Sequence, residues 1–367
     1  MHSCQKEKEV VRDSDQTGQM GYRVDTLSVS VDEETSYLYN RFTTFYDRDD
    51  FYLVAYNRIK HKIQFFDLDK KRETRSIVLE RGGEHAVSDI QNLIVHSLDS
   101  IFVFDSGNMS ILNRKGEVFY KVNLFELAYK DMRPDFSDFT SKPFFNKMRK
   151  SVILGNSHGL GANADLDNSF LLEFDLQTKS YSELNFSHAE FYKNAEGDFG
   201  PFSQVNFSSV SDETIVFNYK VESSIYRQNI GENEPQRFNG SISSIPSLAN
   251  RFTASSEFHD VMRYRHETAR YYGVLYDPYR ELYYRVHRTG KPYKESERNV
   301  LRNTTFYLSV FDRNLKLLKE INLGSNIYTQ FSWFVAPQGF CINAAFADYE
   351  LLDESKMIIH AFDFFFE

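Results

Sequence analysis

The chain of 367 residues has little of what would declare a chemistry outright. It has only two cysteines, Cys4 and Cys341, so there is neither a disulfide framework nor a thiolate metal site. Cys341 lies in the apolar run of residues 339–345 and reads as a small buried hydrophobe. No apolar stretch reaches the length of about eighteen residues that a transmembrane helix needs, and there is no apolar core of a signal peptide. No GxSxG, HExxH or Cys/His zinc spacing occurs. With 8 Pro and 17 Gly, no Pro/Gly/Ser-rich linker divides the interior, so one domain is the better reading although length alone would allow two or three. A formal net charge of −9 and a pI near 5.7 argue against nucleic acid as partner, because neutralising phosphates needs a basic surface.

Aromatics, by contrast, are abundant: 34 Phe and 23 Tyr bring the aromatic fraction to 16%. Such side chains favour pleated, half-buried surfaces. Four segments repeat one pattern: FDLDKKRETRSIVL from Phe66, LNRKGEVFYKVNL from Leu112, FDLQTKSYSELNF from Phe174 and FDRNLKLLKEINL from Phe311, with a truncated FDFFFE at Phe362. Each full copy has the chemistry of a β-hairpin: a β-prone run, an Asp or Asn that can bond its own backbone, a polar loop, then alternating apolar residues. A hairpin recurring every several tens of residues points to a β-propeller, whose blades occupy roughly 40–50 residues each. The sequence thus predicts an all-β, six-bladed β-propeller, with seven blades as the alternative if residues 241–300 hide another. The sixth unit has only three strands, over residues 326–335, 338–346 and 357–366. Residues 22–32 (YRVDTLSVSVD) alternate apolar and polar side chains and are expected to supply the missing strand and close the ring, which removes exposed edges. The propeller domain is accordingly placed at residues 22–367, acting as a monomer.

Residues 1–21 are polar and without a periodic apolar pattern, and read as a flexible tail. Within them, Ser3-Cys4 followed by polar residues looks like the junction of a bacterial lipoprotein. Cys4 is therefore the candidate lipidation site, and a lipid anchor the one expected membrane contact. Together with this start, the FDL-type hairpins and the run YYGVLYDPYRELYYRVHR over residues 271–288 make the chain resemble a family of Bacteroidota envelope proteins, a domain of unknown function with a six-bladed propeller fold. The segment over 276–285, YDPYRELYYR, is the most specific element. The resemblance implies an exported, lipid-anchored propeller and carries no activity or catalytic residue with it.

Three segments are candidate sites. Residues 80–85 (ERGGEH) form a polar loop between the first two units, more simply a turn than a ligand loop. Residues 156–165 hold Asn163 and Asp165, with Asp167 just beyond, oxygen donors of the kind hard cations take, although the rest of a calcium motif is missing. No metal site is assigned and no cofactor is identified. The third segment, residues 259–288, concentrates arginines, histidines and tyrosines in an acidic protein. Guanidinium groups recognise carboxylate, sulfate or phosphate, and tyrosine adds flat surface with a polar tip. Arg263, His266, Arg270 and Tyr272 are the expected ligand-binding residues, for an anionic glycan or peptide or an envelope protein partner. The competing expectation is that arginine and tyrosine alternate on strand faces and serve packing alone. The functional expectation is a ligand-binding or sensing module. The alternative is a metal-assisted hydrolase, lactonase or lyase, using residues such as His158, Asp198, His259 and His266 brought together in the channel.

Overall fold

A computed structural model describes residues 10–11, 20–128, 132–136, 142–157, 166–195, 198–253, 257–296, 299–350 and 352–366. Its regular elements are mostly β-strands arranged in antiparallel up-and-down units. The first unit comprises Phe42–Asp47, Asp50–Asn57, Lys62–Asp67 and Arg72–Val78. The next comprises Ile90–Ser97, Ser100–Asp105, Asn108–Leu112 and Val118–Asn123. Ser151–Asn156, Leu171–Asp175 and Ser180–Glu183 follow, with the short strands Pro134–Asp135 and Phe144–Asn146 bordering the first of them. Then come Val205–Ser209, Thr214–Tyr219, Ile225–Asn229 and Gln236–Phe238, and Arg270–Asp277, Leu282–Arg288, Phe306–Phe311 and Leu317–Gly324. The C-terminal unit has Trp333–Ala336, Gly339–Asn343 and Lys356–Phe366 from its own part of the chain.

Its outer strand comes from the other end. Met20–Ser30 pairs antiparallel with Lys356–Phe366 along its whole length, from Met20 opposite Phe366 to Ser30 opposite Lys356. The predicted closing strand is therefore present, two residues earlier than its expected bounds of 22–32. Tyr22 and Val29 bury their side chains from it, each worth about 1.5–3 kcal/mol by the area removed from water.

The hydrophobic clusters show how the units are joined. Val54, Ile63 and Phe65 of the first unit pack on Ile90, Ile101 and Val103 of the second. The same arrangement passes along the chain until Tyr284, Val286 and Leu308 meet Phe340, Phe362 and Tyr22. The last cluster returns to the start, placing Phe334, Cys341 and Ile359 against Phe42, Leu53 and Phe66. The result is a propeller-like ring around the first strands of successive units. Burial of Cys341 agrees with its expected role and pushes the thiol well above its ordinary pKa.

One local device makes the repeating hairpins. Asp67 Oδ1 accepts from the backbone N–H of Asp69 and Lys70 at 3.1 and 2.9 Å, and Lys71 then takes a left-handed φ of 56°. Asp175, Asp277 and Asp312 cap their turns in the same way, followed by positive φ at Lys179, Glu281 and Leu315. A short acceptor side chain that replaces a backbone partner is what makes Asp and Asn turn formers. The YDPYRE segment is thus another copy of the FDLDKK turn. Residues 258–267 form the helix Phe258–Glu267 instead of a strand, with Asp260 in its first turn and Arg265 in its last, charges suited to the helix dipole. The strand Val205–Ser209 follows a single 3-10 turn at Gly200–Phe202.

Candidate functional site

Neighbouring first strands touch in order, Val205–Ser209, Arg270–Asp277, Trp333–Ala336, Phe42–Asp47 and Ile90–Ser97, and the last of these meets the short strand Phe144–Asn146 of the third unit. Between them lies a cavity of ≈ 460 Å³. Phe42 and Tyr46, Phe144, Phe207, Tyr276, Phe331, Trp333 and Phe334 give it an aromatic wall. Thr43, Thr44, Ser208 and Ser209 add hydroxyls. A bulge at Tyr272 and Gly273 interrupts the pairing of Arg270–Asp277 with Leu282–Arg288; bulges re-aim side chains next to sites, and Gly273 here exposes backbone to the cavity.

Lys142 is the only charged residue in the described lining. Its Nζ donates to the Phe42 carbonyl at 2.7 Å and lies 3.7 Å from the centre of the Phe42 ring. Burial lowers its pKa to about 7, because leaving water penalises the ammonium form.

The residues expected from the sequence divide into two groups. Arg263 is exposed on the helix Phe258–Glu267 and faces Asp260 at 3.7 Å. His266, on the same helix, is fully buried with its ring 5.3 Å from that of Tyr293. Neither lines the cavity. Arg270 and Tyr272, however, sit together beside it. The Arg270 guanidinium lies over three rings, 5.1 Å from Phe202, 4.8 Å from Tyr272 and 5.6 Å from Phe331. Among the described residues, no hydrogen bond or ion pair engages that guanidinium, and its Nε is buried without a partner. Tyr272 is fully buried, donating from its hydroxyl to Gln330 Oε1 at 3.4 Å. Phe331 separates Arg270 from the cavity and holds a left-handed φ of 70°. That conformation is an outlier for a bulky side chain, and such strain concentrates at ligand clamps.

Other arginines of the segment are structural. Arg285 is fully buried, its Nη1 and Nη2 donating to the carbonyls of Ser223 and Gly240 at 2.5 and 2.6 Å, and burial lowers its pKa to about 10. Arg288 is likewise buried and donates to the Arg265 carbonyl at 2.7 Å. Arg280 bridges Asp277 and Asp363.

Of the remaining candidates, residues 80–85 form an exposed connection between units. His158, Asn163 and Asp165 lie outside the described residues, as does Cys4, while exposed Asp167 pairs with Lys193 at 3.3 Å. His259 is exposed, 3.3 Å from the Tyr293 hydroxyl. Among the described residues, no group of three or more His, Cys, Asp and Glu is placed to hold a metal ion, and no helix is long and apolar enough to cross a membrane. Lys142 escaped the sequence reading, since its partner Phe42 lies 100 residues away.

Solved structures bear on the fold. A crystal structure of a DUF4221 family member from Bacteroides vulgatus superposes with a TM-score of 0.81 at 16% identity, covering 96% of this chain and all of that one. Hydrazine synthase from Kuenenia stuttgartiensis (13% identity, 86% of this chain and 75% of that one) and a luciferin-regenerating enzyme (10%, 93% and 95%) both reach only 0.46. No curated protein matches the sequence. The model of the domain of unknown function DUF4221 matches residues 18–322, and the chain belongs to that family.

Proposed function

We propose that this is a six-bladed propeller, held to the bacterial cell envelope through lipid on Cys4, that binds a ligand in its central cavity without transforming it. The observation that carries this reading is the cavity itself, an aromatic and hydroxyl-lined space enclosed by the first strands of several units. Large pockets with mostly apolar walls and a few polar groups are where proteins hold small ligands. Pairwise packing of each unit on its successor, with Met20–Ser30 completing the last, supports the count of six.

The ligand class this lining suits is an anionic glycan. Aromatic rings offer flat surface to the apolar faces of sugars, hydroxyls meet their polar edges, and Arg270, without an ion-pair partner among the described residues, supplies a cation behind Phe331. An anionic peptide would use the same cation but gains less from the aromatic wall. The reading as a metal-assisted hydrolase or lyase draws no support from the described lining, which contains no carboxylate or imidazole.

Trp333 is the only tryptophan of the chain and lies in the cavity wall, so its fluorescence reports occupancy. Titration with sulfated and neutral oligosaccharides of equal length and with an oligoglutamate peptide is expected to give a saturable change, strongest for the sulfated sugar and weakened by salt. No response to any of them would overturn the cavity as a glycan site. A response to oligoglutamate alone would replace glycan by peptide.

A further inference from the structure

We propose that the cavity ligand carries an acidic group that pairs with Lys142 Nζ while its flat apolar part lies on the aromatic wall. This rests on the cavity being the ligand site. It adds the group that reads the charge inside the cavity, and a condition under which it does so.

The geometry favours an anion at Lys142. The ammonium has three N–H donors. One is used on the Phe42 carbonyl, and the Phe42 ring covers the cation on one side. No carboxylate stands in the described lining to neutralise it. A half-buried cation with no carboxylate beside it among the described residues attracts an anion more strongly than one fully in solvent, where water screens the pair.

Because burial brings Lys142 to a pKa of about 7, the pairing is coupled to a proton. Among the described residues, no other group of the cavity lining changes charge near neutrality; outside the lining, His96 on Ile90–Ser97 packs its ring 4.7 Å from that of Phe145, and burial holds its pKa below the ordinary value. Phe42–Asp47 offers Thr43, Thr44 and Tyr46 to the cavity, the segment around Phe207 offers Ser208 and Ser209, and that around Gly273 offers Tyr276 and Tyr279. Burial raises the pKa of both Tyr276 and Tyr279, which stay neutral. The anion binds the ammonium form, so its affinity is complete below about pH 7 and falls as the pH rises through and beyond it. By reciprocity, a bound anion raises the lysine pKa. An ordinary exposed lysine would keep its charge to about pH 10.

Two dyes of nearly the same shape test this on the full chain: 8-anilinonaphthalene-1-sulfonate, an anion at all relevant pH values, and the neutral N-phenyl-1-naphthylamine. Energy transfer from Trp333 identifies the fraction bound in the cavity. The sulfonate is expected to lose roughly tenfold or more in affinity between about pH 6 and about pH 9, with the neutral dye unchanged. Lys142→Arg is expected to bind the sulfonate with little pH dependence. Lys142→Met should reduce sulfonate affinity to that of the neutral dye while leaving the neutral dye bound, which also shows that the variant is folded. A pH-independent sulfonate affinity in the natural protein, or an unchanged one in Lys142→Met, overturns the pairing while leaving the cavity as a binding site. Failure of both dyes to receive energy from Trp333 overturns the cavity reading together with the pairing.

Discussion

Arg263 and Arg270 lie seven positions apart, yet the structure gives them different work. Arg263 is exposed and, among the described residues, reaches only Asp260, so Arg263→Ala is expected to leave stability within about 0.5 kcal/mol and ligand binding unchanged. Arg270→Met keeps contact with the rings of Phe202, Tyr272 and Phe331 but loses the cation. Its melting temperature should stay near that of the natural protein while affinity for a sulfated oligosaccharide falls by about tenfold or more; equal affinity would show the arginine to be packing alone. A second test at this scale uses the pair His287 and Glu320, 3.2 Å apart. His287 is fully buried between strands, with Ser309 Oγ 3.4 Å from its Nδ1 and Ser244 Oγ 3.1 Å from its Nε2. Serine, imidazole and a half-buried carboxylate meet there as a strut between strands. Burial lowers the His287 pKa and keeps the ring neutral. For Glu320, desolvation acts upward but is outweighed by hydrogen bonds from His287, Ser244 and Ser243, which bring it to about 2 from an ordinary 4.5. Both folded-state pKa values are depressed. The histidine contribution is therefore whole above about pH 6.5 and weakens as unfolded imidazole protonates. That of Glu320 is whole above 4.5 and lost as pH falls towards 2. Urea unfolding from about pH 7 down to about pH 3 is expected to show falling stability, with a shallower slope below about pH 5 in Glu320→Gln. An identical slope would remove Glu320 from the account.

Among the elements, the closing strand Met20–Ser30 bears the most weight. Val29 on it is fully buried against Met357, Ile359 and Leu53. Val29→Asp places an unpaired carboxylate there and is expected to cost about 3 kcal/mol or more, seen as a lower urea midpoint. Removal of residues 1–32 should expose the backbone of Lys356–Phe366 and produce aggregation; a folded monomer with an unchanged melting temperature would show that the strand is dispensable. This strand was legible because its alternation has period two and its partner at the C-terminus lacked a neighbour. The hairpins were legible because each is settled within a few residues by an Asp or Asn bonding its own turn. Elements set by competing local signals were harder. In the helix Phe258–Glu267 the run RYRH gives strand-like alternation of tyrosine and charge, while the signals that favour helix are only Asp260 early and Arg265 and His266 late. The site was least legible of all. Arg270 and Tyr272 stood out by composition, but Lys142 meets Phe42 and the cavity wall only after several units come round the ring, a convergence no local spacing records.

For the whole molecule, charge and attachment belong together. A chain of net charge −9 is repelled by anionic lipid surfaces, so stable residence at a membrane requires an anchor. Cys4, preceded by Ser3 and followed by a polar stretch before the closing strand, is the residue we assign to that task. A single acyl chain gives marginal, reversible attachment, whereas the several chains of a bacterial lipoprotein hold a domain firmly. Produced in its native host from its full gene, the protein is expected to sediment with membranes and to be released by detergent but not by high salt. Salt insensitivity separates lipid from electrostatic binding, which weakens as ions screen it. Cys4→Ser should move the protein to the soluble fraction or stall its maturation, with the melting temperature of the released domain unchanged, since Cys4 precedes every strand of the ring. Equal soluble fractions for the natural protein and Cys4→Ser would remove the anchor while leaving the cavity and its ligand to be tested in solution.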